Sequence, residues 1–327
     1  MFSSIRLFLI GCFSLCLLGG CLGHDPAGSA LAGASAGKTW VDQLTGMTFV
    51  WIPGGCFEMG QGEAEKAELI AALGEAQYRQ WFGGELPRHR VCVDGFWMGR
   101  HEVTVGAFKA FLQATGHQPT AAKRDWTWCM TDRYERRPGV NHARPGFEQD
   151  DRHPVVHVSW TDAQAMAEWL TAGGGGRFRL PTEAEWELAC RGGGDFSRFW
   201  GDDPAGACRF ANGHDVTCQS ERGFFWPRHE CRDGYVATAP VGSFQPNAFG
   251  LYDMLGNVAE WCRDVFSPEA YDRHGSHNPE YVQGGGTRVV RGGGWYSAPA
   301  DMRCAVRRGN CPMNTDDALG FRLIKTE

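Results

Sequence analysis

The sequence predicts an α+β fold with little regular secondary structure, above all in its second half. Residues 47–57 form a β-rich run that is broken at Pro53-Gly54-Gly55, and the segment from His89 alternates in the manner of a strand. Helix start signals occur only before Arg191. The segment after Arg191 is rich in Gly, Trp and Asn, so we expect loops and short strands held together by disulfides or bound ions.

Four segments in the first part of the chain carry helix start signals. A Ser or Thr side chain can accept a hydrogen bond from a free amide of the first helical turn, which makes these residues good caps. The segments are residues 63–82, the stretch capped by Thr104, the stretch capped by Ser159 or Thr161, and the stretch in which Thr182 and Glu185 form a capping box.

Four glycine runs raise the possibility of phosphate-binding loops. They cover residues 173–176, 192–194, 284–286 and 292–294. None is followed by Lys-Ser or Lys-Thr, and none lies between a clear strand and a helix. We therefore interpret all of them as turns.

Length and charge restrict the classes of function. The chain has 327 residues and a formal net charge of −6, enough for one large domain or two small ones. It contains no run of Lys or Arg and no basic helix. This balance argues against nucleic acid as a partner.

The N-terminus has the features of an export signal. Arg6 precedes an apolar run, and the sequence Leu-Gly-Gly-Cys ending at Cys21 resembles the lipobox of bacterial lipoproteins. We expect a signal peptide at 1–20, a lipid on Cys21 and a flexible Gly/Ala/Ser-rich tether at 21–38. Because Leu22 follows the cysteine, the expected location is the outer membrane of a bacterial cell envelope, facing the periplasm. The alternative is an ordinary cleaved signal peptide.

The remaining cysteines suggest disulfides. Ten of the 13 cysteines lie in the expected folded domain at 39–327, and no CxxC pair points to zinc or to a redox dithiol. An even number in an exported chain predicts that most of them are oxidised.

Six segments in order resemble the formylglycine-generating enzyme family, also called the sulfatase-modifying-factor family. They include RLPTEAEWE, FGLYDMLGNVAEW and RVVRGGGWYSAPADMRCAVRR, and the similarity covers about residues 45–324. The resemblance implies one domain of the C-type-lectin-like type. It also implies a disulfide between Cys190 and Cys304, whereas Cys311 has no counterpart and is expected in a structural disulfide.

The oxidase members of this family hold copper(I) on two cysteines in the loop after the glycine-aromatic motif. The matching loop here, residues 296–302, contains no cysteine, and Gly294 stands where those oxidases usually have serine. Thiolates are the ligands that copper(I) prefers, so we expect no copper in this loop. Displaced thiols such as Cys262 or Cys311 remain an alternative.

The resemblance further implies structural calcium, which binds oxygen ligands. The first set is Asp253, Gly256, Val258 and Glu260, and the second is Asn212, Gly213, Asp233 and Tyr235. The alternative is that these acidic residues only pair with nearby arginines.

A ligand pocket is expected near the glycine run at 292–294. Its candidate wall consists of Trp295, Tyr296, Arg291, Arg303 and Arg307. A packed aromatic with ion-paired arginines is the alternative. Three functions therefore stay open, namely binding of a peptide, glycan or small molecule, altered oxidoreductase chemistry on an exported peptide or protein, and formylglycine formation by displaced cysteines.

Overall fold

The computed structural model describes residues 37–327. The expected signal peptide, Cys21 and nearly all of the expected tether lie outside the described residues. The first described strand begins at Thr39, where the sequence predicts the start of the folded domain. In the described part of the chain, no helix has the length and apolar character needed to cross a membrane.

Within residues 37–327, thirteen short strands form the sheets. They are β1 (Thr39–Val41), β2 (Thr48–Ile52), β3 (Gly55–Met59), β4 (His89–Val93), β5 (Phe96–Gly99), β6 (Trp126–Met130), β7 (Tyr134–Pro138), β8 (Arg177–Arg179), β9 (Ala259–Val265), β10 (Arg288–Arg291), β11 (Arg307–Asn310), β12 (Leu319–Gly320) and β13 (Ile324–Thr326).

Eight α-helices of the described residues pack around these sheets. They are α1 (Glu63–Leu73), α2 (Glu75–Phe82), α3 (Val105–Thr115), α4 (Thr120–Arg124), α5 (Trp160–Ala172), α6 (Glu183–Arg191), α7 (Val216–Arg222) and α8 (Ala270–Arg273). In the part of the chain that the structure describes, only two short α-helices follow α6, in agreement with the helix-poor second half that the sequence predicts.

The predicted helix caps are confirmed, and one predicted helix is divided into two. The Thr104 hydroxyl accepts from the Ala107 amide, and Thr182 forms a reciprocal capping box with Glu185. Ser159, and not Thr161, caps α5. The predicted helix at 63–82 is divided at Gly74, whose φ of 81° belongs to the left-handed region that glycine adopts most easily.

Two sheets organise the domain. The larger one is antiparallel with the order β1-β2-β5-β13-β8, so the last strand of the chain lies between β5 and β8. The second sheet has the order β11-β10-β9-β12, with β12 parallel to β9. Helix α6 contacts both β9 and β10. The residues around the glycine run at 292–294 therefore leave the second sheet beside this helix.

Disulfides hold distant segments together, although fewer than predicted. Cys190 of α6 is bonded to Cys304, as the family resemblance implies. Two further bonds join adjacent strands or close a loop, namely Cys56–Cys92 and Cys208–Cys231. In the described residues the free cysteines are Cys129, Cys218, Cys262 and Cys311.

The expectation that Cys311 lies in a structural disulfide is wrong, because its side chain is exposed and unpaired. The expectation of a largely oxidised set holds for six of the ten cysteines. Three of the four free thiols lie in the apolar interior, where they pack as small hydrophobic side chains.

Candidate functional site

The glycine run and the loop after it form a compact turn. Gly292 and Gly293 have φ values of 92° and 73°, which confirms that this run is a turn. The Ser297 hydroxyl accepts a hydrogen bond from the Gly294 amide at 2.9 Å and closes the turn. A 3₁₀ turn at Pro299–Asp301 completes the loop.

The three arginines expected on a pocket wall lie elsewhere. Arg291, Arg303 and Arg307 are only 1%, 2% and 2% exposed. Each guanidinium is engaged by buried carboxylates, so none projects into a cleft. The structure therefore corrects the expected pocket, and the alternative of ion-paired arginines describes these three residues.

The carboxylate partners come mainly from α6. Glu183 accepts from Arg307 at 2.7 Å through both oxygens, and Glu187 pairs with Arg291 and with Arg191. Burial alone would raise the pKa of Glu187, but the charges of Arg191 and Arg291 lower it below its usual value. Helix α6 thus supplies the negative charge that allows arginines to occupy the interior.

Trp295 is a buried residue directly behind a surface cleft. It is 1% exposed, and its indole N–H donates to the Asp317 carbonyl at 3.0 Å. Phe147 packs edge-on against the indole with ring centroids 6.1 Å apart, and the Arg222 guanidinium lies 5.3 Å from it on another side. Tyr296 is partly buried, and its hydroxyl donates to Asp316.

The cleft has a volume of about 1210 Å³ and is lined by residues 139–140, 143–150 and 234–238 and by His153 and Arg222. Arg144 and Arg222 line it, and neither has a carboxylate within ion-pair distance among the described residues. The Nε of Arg222 is buried and has no hydrogen-bond acceptor. The wall also includes the carboxylates of Glu148 and Asp150, and Asp150 pairs with Arg152. The positive charge open to a ligand is therefore that of Arg144 and Arg222, with the carboxylate of Glu148 in the same wall.

The first expected calcium set lies in a buried acidic region. Asp253 accepts from the Gly242 amide through Oδ2 at 2.8 Å, while its buried Oδ1 has no donor. Burial raises the pKa of Asp253 to about 6, with Glu260 adding to the shift. Both oxygens of Glu260 accept from Arg322, so the pairing alternative describes this residue.

Glu102 is a member of this region that sequence reasoning missed. It is 2% exposed, and it accepts from Asn257 Nδ2 at 3.0 Å and from the Val258 amide at 3.2 Å. Burial and the charges of Asp253 and Glu260 raise its pKa well above the usual value. Three buried carboxyls thus face one guanidinium, an excess of negative charge that a bound cation would neutralise.

The second expected calcium set is also brought together. Asn212 is buried and its Oδ1 has no donor, while the Asp233 carboxylate approaches the Gly213 amide at 3.4 Å. The Tyr235 amide donates to Asp233 at 2.7 Å. Burial raises the pKa of Asp233 to about 7, and the charge of Asp215 contributes. No arginine pairs with Asp233 in the described part of the chain.

Asp215 was missed by the sequence reasoning and lies beside this second set. Its carboxylate caps α7 through the Cys218 amide and also accepts from the Asp233 amide at 2.6 Å. An Asp before a short helix is a capping signal, but its proximity to Asp233 depends on the loop that the Cys208–Cys231 disulfide closes.

The two expected calcium sets touch each other. Asn212 donates from Nδ2 to the Asn257 side chain at 3.2 Å and accepts from the Asn257 amide at 2.8 Å. Gly256 has a φ of 80°, and a Cβ there would collide with the Asn212 carbonyl. The loop that contains Asn212 and the loop that contains Gly256 and Asn257 therefore hold each other in place.

Burial affects three of the four free thiols in the described residues. Burial raises the pKa of Cys129 and of Cys218 to about 12 and that of Cys262 well above its usual value. These shifts disfavour the thiolate form that copper(I) binds. Cys311 alone is exposed among the described free cysteines.

The comparisons with known proteins agree with this fold. A family model described as "Sulfatase-modifying factor enzyme 1-like domain" matches residues 38–327. The chain is 36% identical to a formylglycine-generating enzyme of Streptomyces coelicolor, over 84% of this chain and 87% of that protein. It is 34% identical to the serine/threonine-protein kinase pkn1 of Chlamydia pneumoniae, over 84% of this chain but only 37% of the kinase.

A solved structure is similar over nearly the whole domain. The structure of PvdO from Pseudomonas aeruginosa covers 90% of this chain and 100% of its own length, with a TM-score of 0.70 and 26% identity. Together with the geometry above, these similarities show a single C-type-lectin-like domain, and the chain belongs to the formylglycine-generating enzyme (sulfatase-modifying factor) family.

Proposed function

We propose that this protein is a calcium-stabilised, envelope-anchored member of its family that binds a peptide in the cleft beside Trp295. The observation that carries the proposal is the cleft, which lies in front of Trp295 and exposes two arginines without carboxylate partners. Such charge recognises carboxylate groups of a ligand.

The size of the cleft favours a peptide over a small molecule. Its volume of about 1210 Å³ exceeds the range of roughly 300–1,000 Å³ that is typical of small-molecule sites. Trp295 itself is buried and offers no exposed ring for a sugar to stack on. Phe147 and Tyr235 line the cleft and provide apolar contacts for side chains of a bound peptide.

The chemistry of the oxidase members is not expected here. That chemistry uses two cysteines on copper(I), and the loop at 296–302 supplies none. Of the alternative thiols, Cys262 is fully buried and Cys311 is exposed, so they do not form a shared accessible site. Oxidoreductase chemistry on an exported peptide remains the alternative, and the peptide experiment below distinguishes it.

Calcium fits both oxygen-rich regions. Each contains a buried side-chain oxygen without a hydrogen-bond donor, Asp253 Oδ1 in one and Asn212 Oδ1 in the other. A cation bound there would satisfy these oxygens and offset the buried negative charge. The residues that would hold it are those of the two expected sets apart from Glu260, whose oxygens accept from Arg322, and its role would be structural.

The first prediction concerns calcium. At a free concentration 100 times the dissociation constant, a native-state ligand stabilises by about 2.7 kcal/mol, or roughly 5 °C in Tm for a domain of this size. Chelation should lower the Tm by about this amount for each occupied site, and Asp253→Asn or Asp233→Asn should remove the part of the response that comes from its own site. Differential scanning calorimetry measures it, with the exposed Glu68→Gln as control. An identical Tm with and without calcium would contradict the proposal.

The second prediction concerns the cleft. Wild-type protein should retain acidic peptides from a proteolytic digest of periplasmic proteins, and Arg222→Gln should retain them about 10-fold less, because a charge-assisted hydrogen bond is lost. Arg136→Gln is the matched control, since Arg136 covers Trp126 on the β6-β7 hairpin. Peptides are identified by mass spectrometry.

The same samples test the alternative chemistry. After incubation with copper and dioxygen, followed by reduction of any disulfides, cysteine-containing peptides should be recovered with unchanged mass. Formation of an aldehyde on any of them would overturn the non-oxidase assignment, and equal retention by wild type and Arg222→Gln would exclude the cleft.

The third prediction concerns the anchor. Wild-type protein should sediment with the outer membrane, and Cys21→Ala should release it or leave its signal peptide uncleaved, because the lipid is attached to this thiol. Fractionation and electrophoretic mobility measure both effects, with Cys311→Ala as the control. Unchanged membrane association and processing of Cys21→Ala would show that no lipid on Cys21 is involved.

A further inference from the structure

A second cavity lies apart from the cleft and shares no lining residue with it. It has a volume of about 750 Å³ and is enclosed by α5, β8 and residues 280–288. Its floor is apolar and includes Ala167, Phe178, Leu180 and Val265. Unlike the cleft, this cavity falls within the size range of roughly 300–1,000 Å³ typical of small-molecule sites.

The wall of this cavity is cationic, although the chain as a whole is acidic. Among its lining residues, four arginines stand against two glutamates, in a protein of formal net charge −6. The arginines are Arg177, Arg179, Arg263 and Arg288, and the glutamates are Glu168 and Glu280.

Two of the four guanidinium groups already have partners. Arg179 binds both oxygens of Glu185 at 2.6 Å, and Arg263 pairs with Glu280 at 2.9 Å. Arg177 and Arg288 have no carboxylate within ion-pair distance in the described residues. The positive charge that remains available in the cavity therefore belongs to these two residues.

Arg288 is held in position without being neutralised. Its guanidinium stacks 4.2 Å from the ring centroid of Trp160, and Nη1 donates to the Arg263 carbonyl at 2.6 Å. Within the described part of the chain, its Nε and Nη2 find no acceptor. Burial and the neighbouring charge of Arg263 lower its pKa, although Asp264 and Glu280 act in the opposite direction. A ligand anion would relieve this unfavourable environment.

We infer that this cavity is a binding site for a small organic anion, a carboxylate with an apolar body, held by Arg288 and Arg177. The carboxylate would accept hydrogen bonds from the guanidinium groups, and the apolar body would lie on the floor formed by Phe178 and Leu180. The site is independent of the peptide cleft, because none of its residues belongs to the cleft or to the expected calcium sets.

The test compares three probes that share a phenylethyl body and differ in their terminal group, namely the anion 3-phenylpropanoate, the neutral 3-phenylpropanol and the cation 3-phenylpropylammonium. Isothermal titration of the full-length protein should give a dissociation constant for the carboxylate at least 10-fold lower than for the other two. Arg177→Gln and Arg288→Gln should each weaken the carboxylate by about 5- to 10-fold and leave the alcohol unchanged.

Two further variants keep the test decisive. Ala172→Glu places a carboxylate at the exposed rim of the cavity, does not remove any contact of Arg288, and should weaken the carboxylate probe to a similar extent. Arg222→Gln, in the peptide cleft, should have no effect, so a failure of this site is separable from a failure of the cleft. Equal affinity for the three probes, no measurable binding, or an unchanged affinity in Ala172→Glu would overturn the inference.

Discussion

Buried ion pairs between the arginines of the C-terminal segment and the glutamates of α6 are the interaction on which the rest of the structure depends. Arg291 and Arg307 would be costly in an apolar interior without opposite charges. Glu183 and Glu187 provide those charges on one helix, and the Cys190–Cys304 disulfide joins the same two segments covalently. The ion pairs and the disulfide therefore hold the glycine-aromatic turn in place against α6. For this reason Arg291 and Arg307 have a structural role.

The buried ion pairs determine which arginines remain available at the surface. Since the arginines next to the turn are occupied, the available positive charge lies farther out, on Arg222 at the cleft and on Arg288 at the second cavity. Both side chains lie against a tryptophan, which positions the guanidinium without neutralising it. Binding chemistry in this domain is thus expected at the edges of the aromatic core and not within the turn itself.

The sequence allowed good prediction of local features. The caps at Thr104 and at Thr182, the turn at 292–294 and the division of the first β-rich run into two strands all follow from short-range chemistry that neighbouring residues determine. The family and the Cys190–Cys304 bond followed from the resemblance of whole segments.

Features that depend on distant residues were not accessible in the same way. The partners of Arg303 include Glu85, more than two hundred positions earlier, and Glu102 reaches the loop around Asn257 from the end of another sheet. Neither pairing leaves a pattern in the neighbouring sequence. The sequence therefore allowed Arg303 to be interpreted as part of a pocket wall as readily as a buried ion-paired residue. The free state of Cys311 was missed for the same reason, since a pairing depends on which thiols the fold brings together.

The structural role of these buried ion pairs is tested most directly by the free energy of unfolding of Glu187→Gln, measured by chemical denaturation. Removing this carboxylate leaves Arg191 and Arg291 buried without their shared partner, and loss of one member of a buried pair costs about 3–5 kcal/mol. The exposed Glu221→Gln, which has no ion pair in the described residues, should change the value by less than about 0.5 kcal/mol. A loss of several kcal/mol for Glu187→Gln alone supports the account, whereas a loss below about 1 kcal/mol would contradict the claim that these arginines are scaffold.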